Sequence, residues 1–195
     1  MKIIAFDQSK SSTGWACWAP GWDKPRFGSQ TIGSEYTSDG QTFTKLRSVI
    51  IDLYSGMLPF EHLVYEEPIQ QKKHVASSQA STLMLLGLRA VIEGVGYELR
   101  CRVRAVPSTN WRTEFCGRDE TQMIRRAARQ AQKSARDPLK AAVMERCRLL
   151  GLSPQNDDEG DAIGILTYAI LTNGMTPPWL ADETLRPLPL NGDGR

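Results

Sequence analysis

Residues 2–19 read KIIAFDQSKSSTGWACWA and carry the clearest structural pattern in the chain. A short apolar run from Lys2 to Asp7 ends in an acid, and a second strand-like run from Thr13 to Ala19 follows after a polar turn. Two such runs joined by a turn predict a β-hairpin, with Asp7 at the end of its first strand. Because an aspartate at a strand end is most often a turn residue, the role of Asp7 depends on what the rest of the chain brings to it.

The order of the later elements predicts an α/β fold with a mixed five-stranded sheet and helices on both of its faces. Three more strands and five helices are expected: strands at 26–33, 62–66 and 97–106, and helices at 41–57, 75–95, 119–136, 139–150 and 157–173. Short turns join the first three strands, which suits antiparallel pairing, whereas helices lead to the last two, which suits parallel crossovers. Asp137 and Pro138 are expected to end one helix and start the next. The proline-rich residues after Met175 are expected to form an extended arm or a disordered end.

Length and composition indicate one ordinary globular domain. The chain has 195 residues, of which 41% are hydrophobic and 24% are charged, without a low-complexity tract. Four scattered cysteines and only two histidines argue against a disulfide framework and against a zinc site. We found no apolar run of bilayer length and no signal peptide, so we expect a cytoplasmic protein with no membrane partner.

The net charge of +2 conceals a strong segregation of charge along the chain. Residues 100–148 contain 13 basic and 5 acidic residues, a net of +8, whereas residues 149–195 contain 2 basic and 7 acidic residues, a net of −5. A basic segment beside separate acidic positions is what an enzyme with a carboxylate site and a polyanionic substrate would show. A solvated basic helix would give the same count.

Four carboxylates stand at element ends that the predicted sheet would bring together. They are Asp7, Glu66 at the end of the fourth strand, and Asp158 and Asp161 at the start of the last helix. A three-residue spacing puts the last two on one helix face, near the positive end of the helix dipole. Mg²⁺ prefers a few carboxylates with water and phosphate, and two ions about 3.5–4 Å apart are a common arrangement for phosphodiester cleavage. Each acid alone could be a turn or cap residue, but a carboxylate at the rim of a buried strand is costly without a partner or an ion.

Three motifs follow one another along the chain: IAFDQS at 4–9 with TGWA at 13–16, VYE at 64–66, and DEGDAI at 158–163. In this order and spacing they resemble the RuvC family of Holliday junction resolvases, particularly its phage and prophage branch, within the RNase H-like fold. The resemblance covers nearly all of residues 1–172. It implies a nuclease domain over 1–174, followed by a proline-rich tail over 175–195.

The resemblance implies an endonuclease that nicks Holliday junctions or other branched DNA symmetrically and leaves 5′-phosphate and 3′-hydroxyl ends. It also implies two Mg²⁺ ions per active site, with Mn²⁺ as a substitute. The catalytic metal ligands would be the four carboxylates above: Asp7, Glu66, Asp158 and Asp161. Glu67 and Asp157 lie next to two of these residues in the sequence and are less favoured candidates for metal ligands. Family members act as homodimers, and the apolar helix predicted at 75–95 is our candidate for the dimer contact, although its apolar residues could equally be core.

Basic side chains near the scissile phosphate are a further implication of the resemblance. Lys140 lies where the family has a catalytic lysine, and Arg112 lies where another basic residue is expected; both could hold phosphate or stabilise transition-state charge. An exposed helix-end charge is the competing interpretation, which is about as good for Arg112 and weaker for Lys140. Lys72 and Lys73 lie in a basic loop and are expected to contact DNA. Trp111 is the one aromatic residue considered for DNA contact.

Two features depart from the family pattern. Where an aromatic wedge often follows the strand glutamate, this chain has Ile69, which would have to replace it unless the junction is opened differently. A basic helical insertion is also predicted at 118–137, and the cations expected along one side of it to contact DNA are Arg125, Arg129, Lys133 and Arg136. Such a helix is typical of an arm that follows DNA phosphates, and a merely solvated helix is the alternative.

Three other functions remain open on the sequence alone. An RNase H-like nuclease could act on RNA–DNA hybrids, and a non-catalytic protein could bind DNA junctions without cutting them. A nucleotide-binding kinase or ATPase would explain residues 7–14, but those folds need a second such domain, for which 195 residues leave no room.

Overall fold

The structure of the chain, a computed structural model, describes residues 1–68 and 79–184. Within these ranges five strands and seven helices follow one another: β1 (Ile3–Gln8), β2 (Ser12–Trp18), β3 (Arg26–Thr31), α1 (Asp39–Gly56), β4 (His62–Glu66), α2 (Gln79–Glu98), β5 (Arg102–Val106), α3 (Ser108–Cys116), α4 (Arg118–Gln130), α5 (Arg136–Leu149), α6 (Asp157–Thr172) and α7 (Pro178–Thr184).

The five strands form one mixed sheet in the order β3-β2-β1-β4-β5. β2 pairs antiparallel with both β1 and β3, whereas β4 pairs parallel with both β1 and β5. The predicted mixed sheet and its strand directions are therefore confirmed. The central position of β1 matters for the site, because its two neighbours place Gly14 opposite Asp7 on one side and Tyr65 opposite Phe6 on the other.

Helices cover both faces of the sheet, and alternate residues of β1 point into two separate cores. Ile3 and Ala5 belong to a core that β1 shares with α3, α5 and α6, here called the α6 core. Ile4 and Phe6 belong to a core that it shares with α1 and α2, here called the α2 core. All four side chains are at most 1% exposed. Each large apolar side chain removed from water in this way contributes about 1.5–3 kcal/mol.

α6 runs through the middle of the α6 core and begins at the edge of the sheet. The side chain of Asn156 caps it by accepting a hydrogen bond from the Glu159 backbone nitrogen, at 3.1 Å. Nearly every side chain from Glu159 to Ile170 is buried. Gly164 lies against the ring of Trp111 in α3, where a Cβ atom would overlap the indole. This close packing fixes the position of the start of α6, which carries Asp158 and Asp161.

α2 is long and apolar enough to cross a membrane by length and composition, contrary to the expectation that no segment would be. The core helix of a water-soluble protein passes the same test. Met84, Leu88 and Ile92 on one side of α2 are packed in the α2 core.

Apart from the link between α4 and α5, three segments differ from their predicted structure. The segment from Ser108 to Cys116 forms a helix that the sequence did not predict. β5 was predicted to begin at residue 97, but α2 continues to Glu98 and β5 begins at Arg102. Residues 178–184, predicted to belong to an extended or disordered tail, form α7, whose Trp179 packs edge-on against Trp18.

The predicted helix at 119–136 is wrong over residues 131–135, because α4 ends at Gln130 and α5 begins at Arg136. Gln132 takes a left-handed backbone conformation with φ 53°, and the backbone nitrogen of Lys133 donates to the Ala128 carbonyl at 2.9 Å. This pair of features is a Schellman helix end, which usually has glycine where Gln132 stands. Lys133 and Arg136 therefore do not lie on α4.

Candidate active site

Asp7 and Glu66 are brought side by side because β1 and β4 are parallel neighbours. Asp7 follows Phe6, and Glu66 follows Tyr65, its partner in the register. Strand alternation points both carboxylates to the face of the sheet that α6 covers. The side chain of Gln8 strengthens this edge by donating from Nε2 to the Glu66 carbonyl, at 2.8 Å.

α6 supplies the third carboxylate, Asp161, from close to its start. Gly14 in β2 makes this approach possible, since a Cβ atom there would overlap the backbone carbonyl of Asp158. Ser12 fixes the same turn, with its hydroxyl donating to Asp158 Oδ2 at 2.6 Å. Asp161, three residues further along, is only 2% exposed and faces the sheet. Neither Gly14 nor Ser12 was singled out as part of the site from the sequence, although Gly14 lies in the TGWA motif and Ser12 directly precedes it.

The structure brings together three of the four predicted metal ligands. Carboxylate oxygens of Asp7, Glu66 and Asp161 all lie within 4.8 Å of one another, and we call these three residues the carboxylate cluster. Asp158 stands beside the cluster, with one oxygen bonded to Ser12. Its charge still reaches the cluster, because it contributes to raising the pKa of Asp7.

The negative charges of the cluster repel one another, and burial adds to their cost. Burial raises the pKa of Asp7 well above its ordinary value, and the negative charges of Glu66 and Asp161 raise it further. Burial also raises the pKa of Asp161 to about 6, although the charge of Arg112 acts against this. Packed carboxylates with raised pKa values are typical of sites that bind a cation or transfer protons.

The donor set fits a hard divalent cation such as Mg²⁺. All of its donors are carboxylate oxygens, which such ions prefer. Asp161 Oδ1 is buried and has no hydrogen-bond partner, so one ligand oxygen is available inside the cluster. A buried carboxylate oxygen without a partner is costly, and coordination to a metal would satisfy it. If a divalent ion is bound here, Asp7, Glu66 and Asp161 are the residues that would hold it.

Arg112, predicted to hold phosphate near the cleavage site, contacts the carboxylate cluster directly. Its Nη1 is 3.3 Å from Glu66 Oε1, and its Nη2 is 2.5 Å from Asp161 Oδ2. α3 positions the guanidinium, whose carbon lies 4.3 Å from the ring centre of Trp111. Trp111 itself is fully buried, so the prediction that it could contact DNA is wrong. These contacts span 46 and 49 residues of sequence, and no local signal in the chain announces them.

Lys140, the predicted catalytic lysine, lies at the border of the site. Its Nζ is 3.0 Å from Asp157 Oδ2, so its direct partner is Asp157, one of the less favoured candidates for metal ligands. Its positive charge also acts to lower the pKa of Asp161. Lys140 therefore influences the cluster electrostatically without contacting it.

The other predicted DNA contacts are spread over the α4–α5 region. Arg129, Lys133 and Arg136 are exposed, and Arg125 is half-buried. The break between the two helices divides them, with Arg125 and Arg129 on α4 and Arg136 at the start of α5. Lys72, Lys73 and Ile69 lie outside the described residues.

No protein-family model matches the chain, and no curated protein matches it by sequence. Solved structures do match it in fold. RuvC of Thermus thermophilus, in complex with a Holliday junction substrate, has a TM-score of 0.61 at 12% identity, over 89% of this chain and 94% of that protein. A second structure of Thermus thermophilus RuvC gives 0.59 at 14% identity, over 91% and 99% of the two chains. The chain therefore has the fold of RuvC, the RNase H-like α/β fold predicted from its sequence.

Proposed function

We propose that the protein is a metal-dependent endonuclease that resolves Holliday junctions or other branched DNA by symmetric nicking. The observation that carries this proposal is the carboxylate cluster, in which Asp161 keeps a buried oxygen without a partner. The cluster lies where the inner strands β1 and β4 end, and the chain shares its fold with RuvC. One structure of RuvC contains a Holliday junction substrate. Fold likeness alone does not assign an activity, so the proposal rests on the cluster and is tested on DNA.

In this proposal the carboxylate cluster would hold two Mg²⁺ ions, with Asp158 as a fourth ligand after its bond to Ser12 opens. Bound ions of this kind generate the attacking hydroxide and stabilise the leaving oxygen. Ser12 and the cap of α6 keep the acids in position before binding. Lys140, beside Asp157, would neutralise a phosphate that approaches the cluster.

The exposed cations of the α4–α5 region would bind the arms of the DNA. Arg129, Lys133 and Arg136 are exposed around the link between the two helices. Cations placed in this way contact phosphates without regard to base sequence, which suits a protein that recognises the shape of a branch.

We propose that the active form is a homodimer whose two copies meet along α2. The face of α2 that points away from the core is unusually apolar. Leu83, Leu86 and Tyr97 are 59%, 42% and 86% exposed, and Ala90 and Gly94 are exposed between them. Their spacing of three or four residues makes one continuous stripe, the pattern of a helix that packs against another helix. A two-fold dimer would present two clusters to the two opposed strands of a junction.

The decisive experiment is cleavage of an immobile four-way junction with each strand labelled in turn. Linear duplex, single strand and an RNA–DNA hybrid serve as competing substrates, in Mg²⁺ or in EDTA. We expect paired symmetric nicks that need Mg²⁺, disappear in Asp7→Asn and persist in Asp52→Asn, a matched change at an exposed acid of α1. Resealing of the products by DNA ligase would verify 5′-phosphate and 3′-hydroxyl ends.

Two results would contradict the proposal. Tight junction binding without a cut, in Mg²⁺ and in Mn²⁺, would indicate a non-catalytic junction-binding protein. Preferred cleavage of the RNA–DNA hybrid would instead indicate a nuclease with the specificity of an RNase H.

A further inference from the structure

The guanidinium of Arg112 is enclosed between two acids and an aromatic ring. It contacts Glu66 and Asp161 at 3.3 and 2.5 Å and lies over the ring of Trp111. Its side chain is 15% exposed, and its Nε is buried without a hydrogen-bond partner. A phosphate-binding arginine would direct its donors outward, whereas this one directs them at two members of the carboxylate cluster.

The two acids that Arg112 contacts are the ones a metal ion would need. A guanidinium and a divalent cation are both attracted to the same carboxylates, and they repel one another at such short range. The two oxygens of Asp161 differ in this respect, because Oδ2 accepts a hydrogen bond from Arg112 while Oδ1 has no partner. An incoming cation finds one oxygen available and the other already engaged.

We propose that Arg112 is the internal counter-ion of the carboxylate cluster: it holds Glu66 and Asp161 together before metal binds, and it competes with the metal for them. The inference rests on the proposed function, in that the same acids are taken as metal ligands. Arg112 acts through these two residues and is therefore a positioning residue. Once the metal holds the acids, the guanidinium is released beside the cluster, where a DNA phosphate can receive it.

Metal affinity tests this competition without any need for cleavage. Binding of Mn²⁺ is measured at fixed pH, from the electron paramagnetic resonance signal of the free ion, for the wild type, Arg112→Gln and Arg148→Gln. Arg148 pairs with Glu145 on the surface of α5, so its variant removes the same charge outside the site. We expect Arg112→Gln to bind Mn²⁺ about tenfold more tightly than the wild type, within the usual range of coupling between two binding events. Arg148→Gln is expected to match the wild type.

Thermal stability gives a second and independent measurement. Without metal, Arg112→Gln is expected to melt at a lower temperature than the wild type, because its acids have lost their counter-ion. Saturating Mg²⁺ is expected to raise its melting temperature by more than it raises that of the wild type. Arg112→Lys keeps a cation with a single ammonium group, so its affinity for Mn²⁺ should fall between that of the wild type and that of Arg112→Gln. If Arg112→Gln does not fold, the lysine variant carries the test.

Unchanged or weaker Mn²⁺ binding in the folded Arg112 variants would overturn the inference, and so would the absence of Mn²⁺ binding in every variant. Failure of the proposed function is recognised separately, as a wild type that binds Mn²⁺ but does not cut the junction. Tighter binding in Arg112→Gln would support the counter-ion role even in that case.

Discussion

At the scale of the single residue, Gly14 allows β2 and the start of α6 to approach closely. A Cβ atom there would overlap the backbone carbonyl of Asp158, which cannot move without the whole first turn of α6. We expect Gly14→Ala to push α6 from the sheet, to lower the free energy of unfolding by about 1–3 kcal/mol and to abolish cleavage. Denaturant unfolding and the junction assay measure the two effects.

Gly40→Ala is the matched control for this change. Gly40 is exposed near the start of α1, and a Cβ atom there would meet nothing within 4 Å. Because alanine favours a helix over glycine, we expect unchanged or slightly higher stability, with normal cleavage. Equal stability of the two variants would show that the close contact between β2 and α6 is not needed.

The charge of Asp7 should destabilise the metal-free protein. Since folding raises the pKa of Asp7 above its ordinary 3.8, the ionised carboxylate is penalised in the folded state at neutral pH. We therefore expect Asp7→Asn to raise the melting temperature in EDTA at pH 7–8, by about 2–4 °C for each kcal/mol gained. The gain should shrink as the pH falls towards 3.8 and vanish below it, where the carboxyl is protonated in both states.

Calorimetry in EDTA at several pH values measures this effect, with Asp52→Asn as the control for a simple change in net charge. A lower melting temperature for Asp7→Asn at pH 7–8 would contradict the repulsion described for the cluster. Because the same variant is expected to lose cleavage, gain of stability and loss of activity together would identify Asp7 as a functional residue rather than a structural one.

At the scale of the element, the α4–α5 region should supply salt-dependent DNA affinity. We expect a variant with all four predicted DNA contacts of this region changed to glutamine, here called the fourfold variant, to bind the junction more weakly in EDTA. Its affinity should also depend less on salt concentration. The positions are Arg125, Arg129, Lys133 and Arg136. Each phosphate contact removed should reduce the slope of log affinity against log salt by about 0.9, measured by fluorescence anisotropy.

Arg47→Gln is a suitable control, because Arg47 pairs with Glu98 on the side of the sheet away from α6. A normal salt slope in the fourfold variant would show that this region is only a solvated surface. A loss of affinity that is equal at all salt concentrations would also contradict phosphate contact, since it would point to a change of structure.

Strands were easier to predict from the sequence than helix ends. β1, β2 and β4 are apolar runs between polar turns, so the local pattern of residues is enough to predict each strand. The end of α4 was missed because Gln132 takes the left-handed conformation that usually reveals itself as glycine. α3 was missed because its cap residue, Pro107, makes no side-chain hydrogen bond, and its Trp111 is held by packing against α6.

At the scale of the whole molecule, the parts of the site that follow from strand order could be predicted and the parts that follow from packing could not. Asp7 and Glu66 meet because parallel strands end at one edge, which the element order already implies. The bond between Ser12 and Asp158 and the contacts of Arg112 depend on how closely α3 and α6 approach the sheet. That distance is set by glycines and indole rings far apart in sequence, so only the assembled fold shows it.

The proposed symmetric cleavage would depend on dimerisation, a property of the whole molecule. A charge placed in the exposed stripe of α2 would have to be buried at the proposed interface, so we expect Leu86→Asp to convert a dimer to a monomer that keeps its fold and cluster. Sedimentation velocity measures the change from dimer to monomer.

On a supercoiled plasmid with an extruded cruciform, the wild type should give linear product from two coordinated nicks, whereas the monomer should give nicked circles. Met123→Asp changes an apolar residue of α4 that is even more exposed than Leu86, 65% against 42%, and this variant should remain a dimer. A wild type that sediments as a monomer would refute the dimer outright.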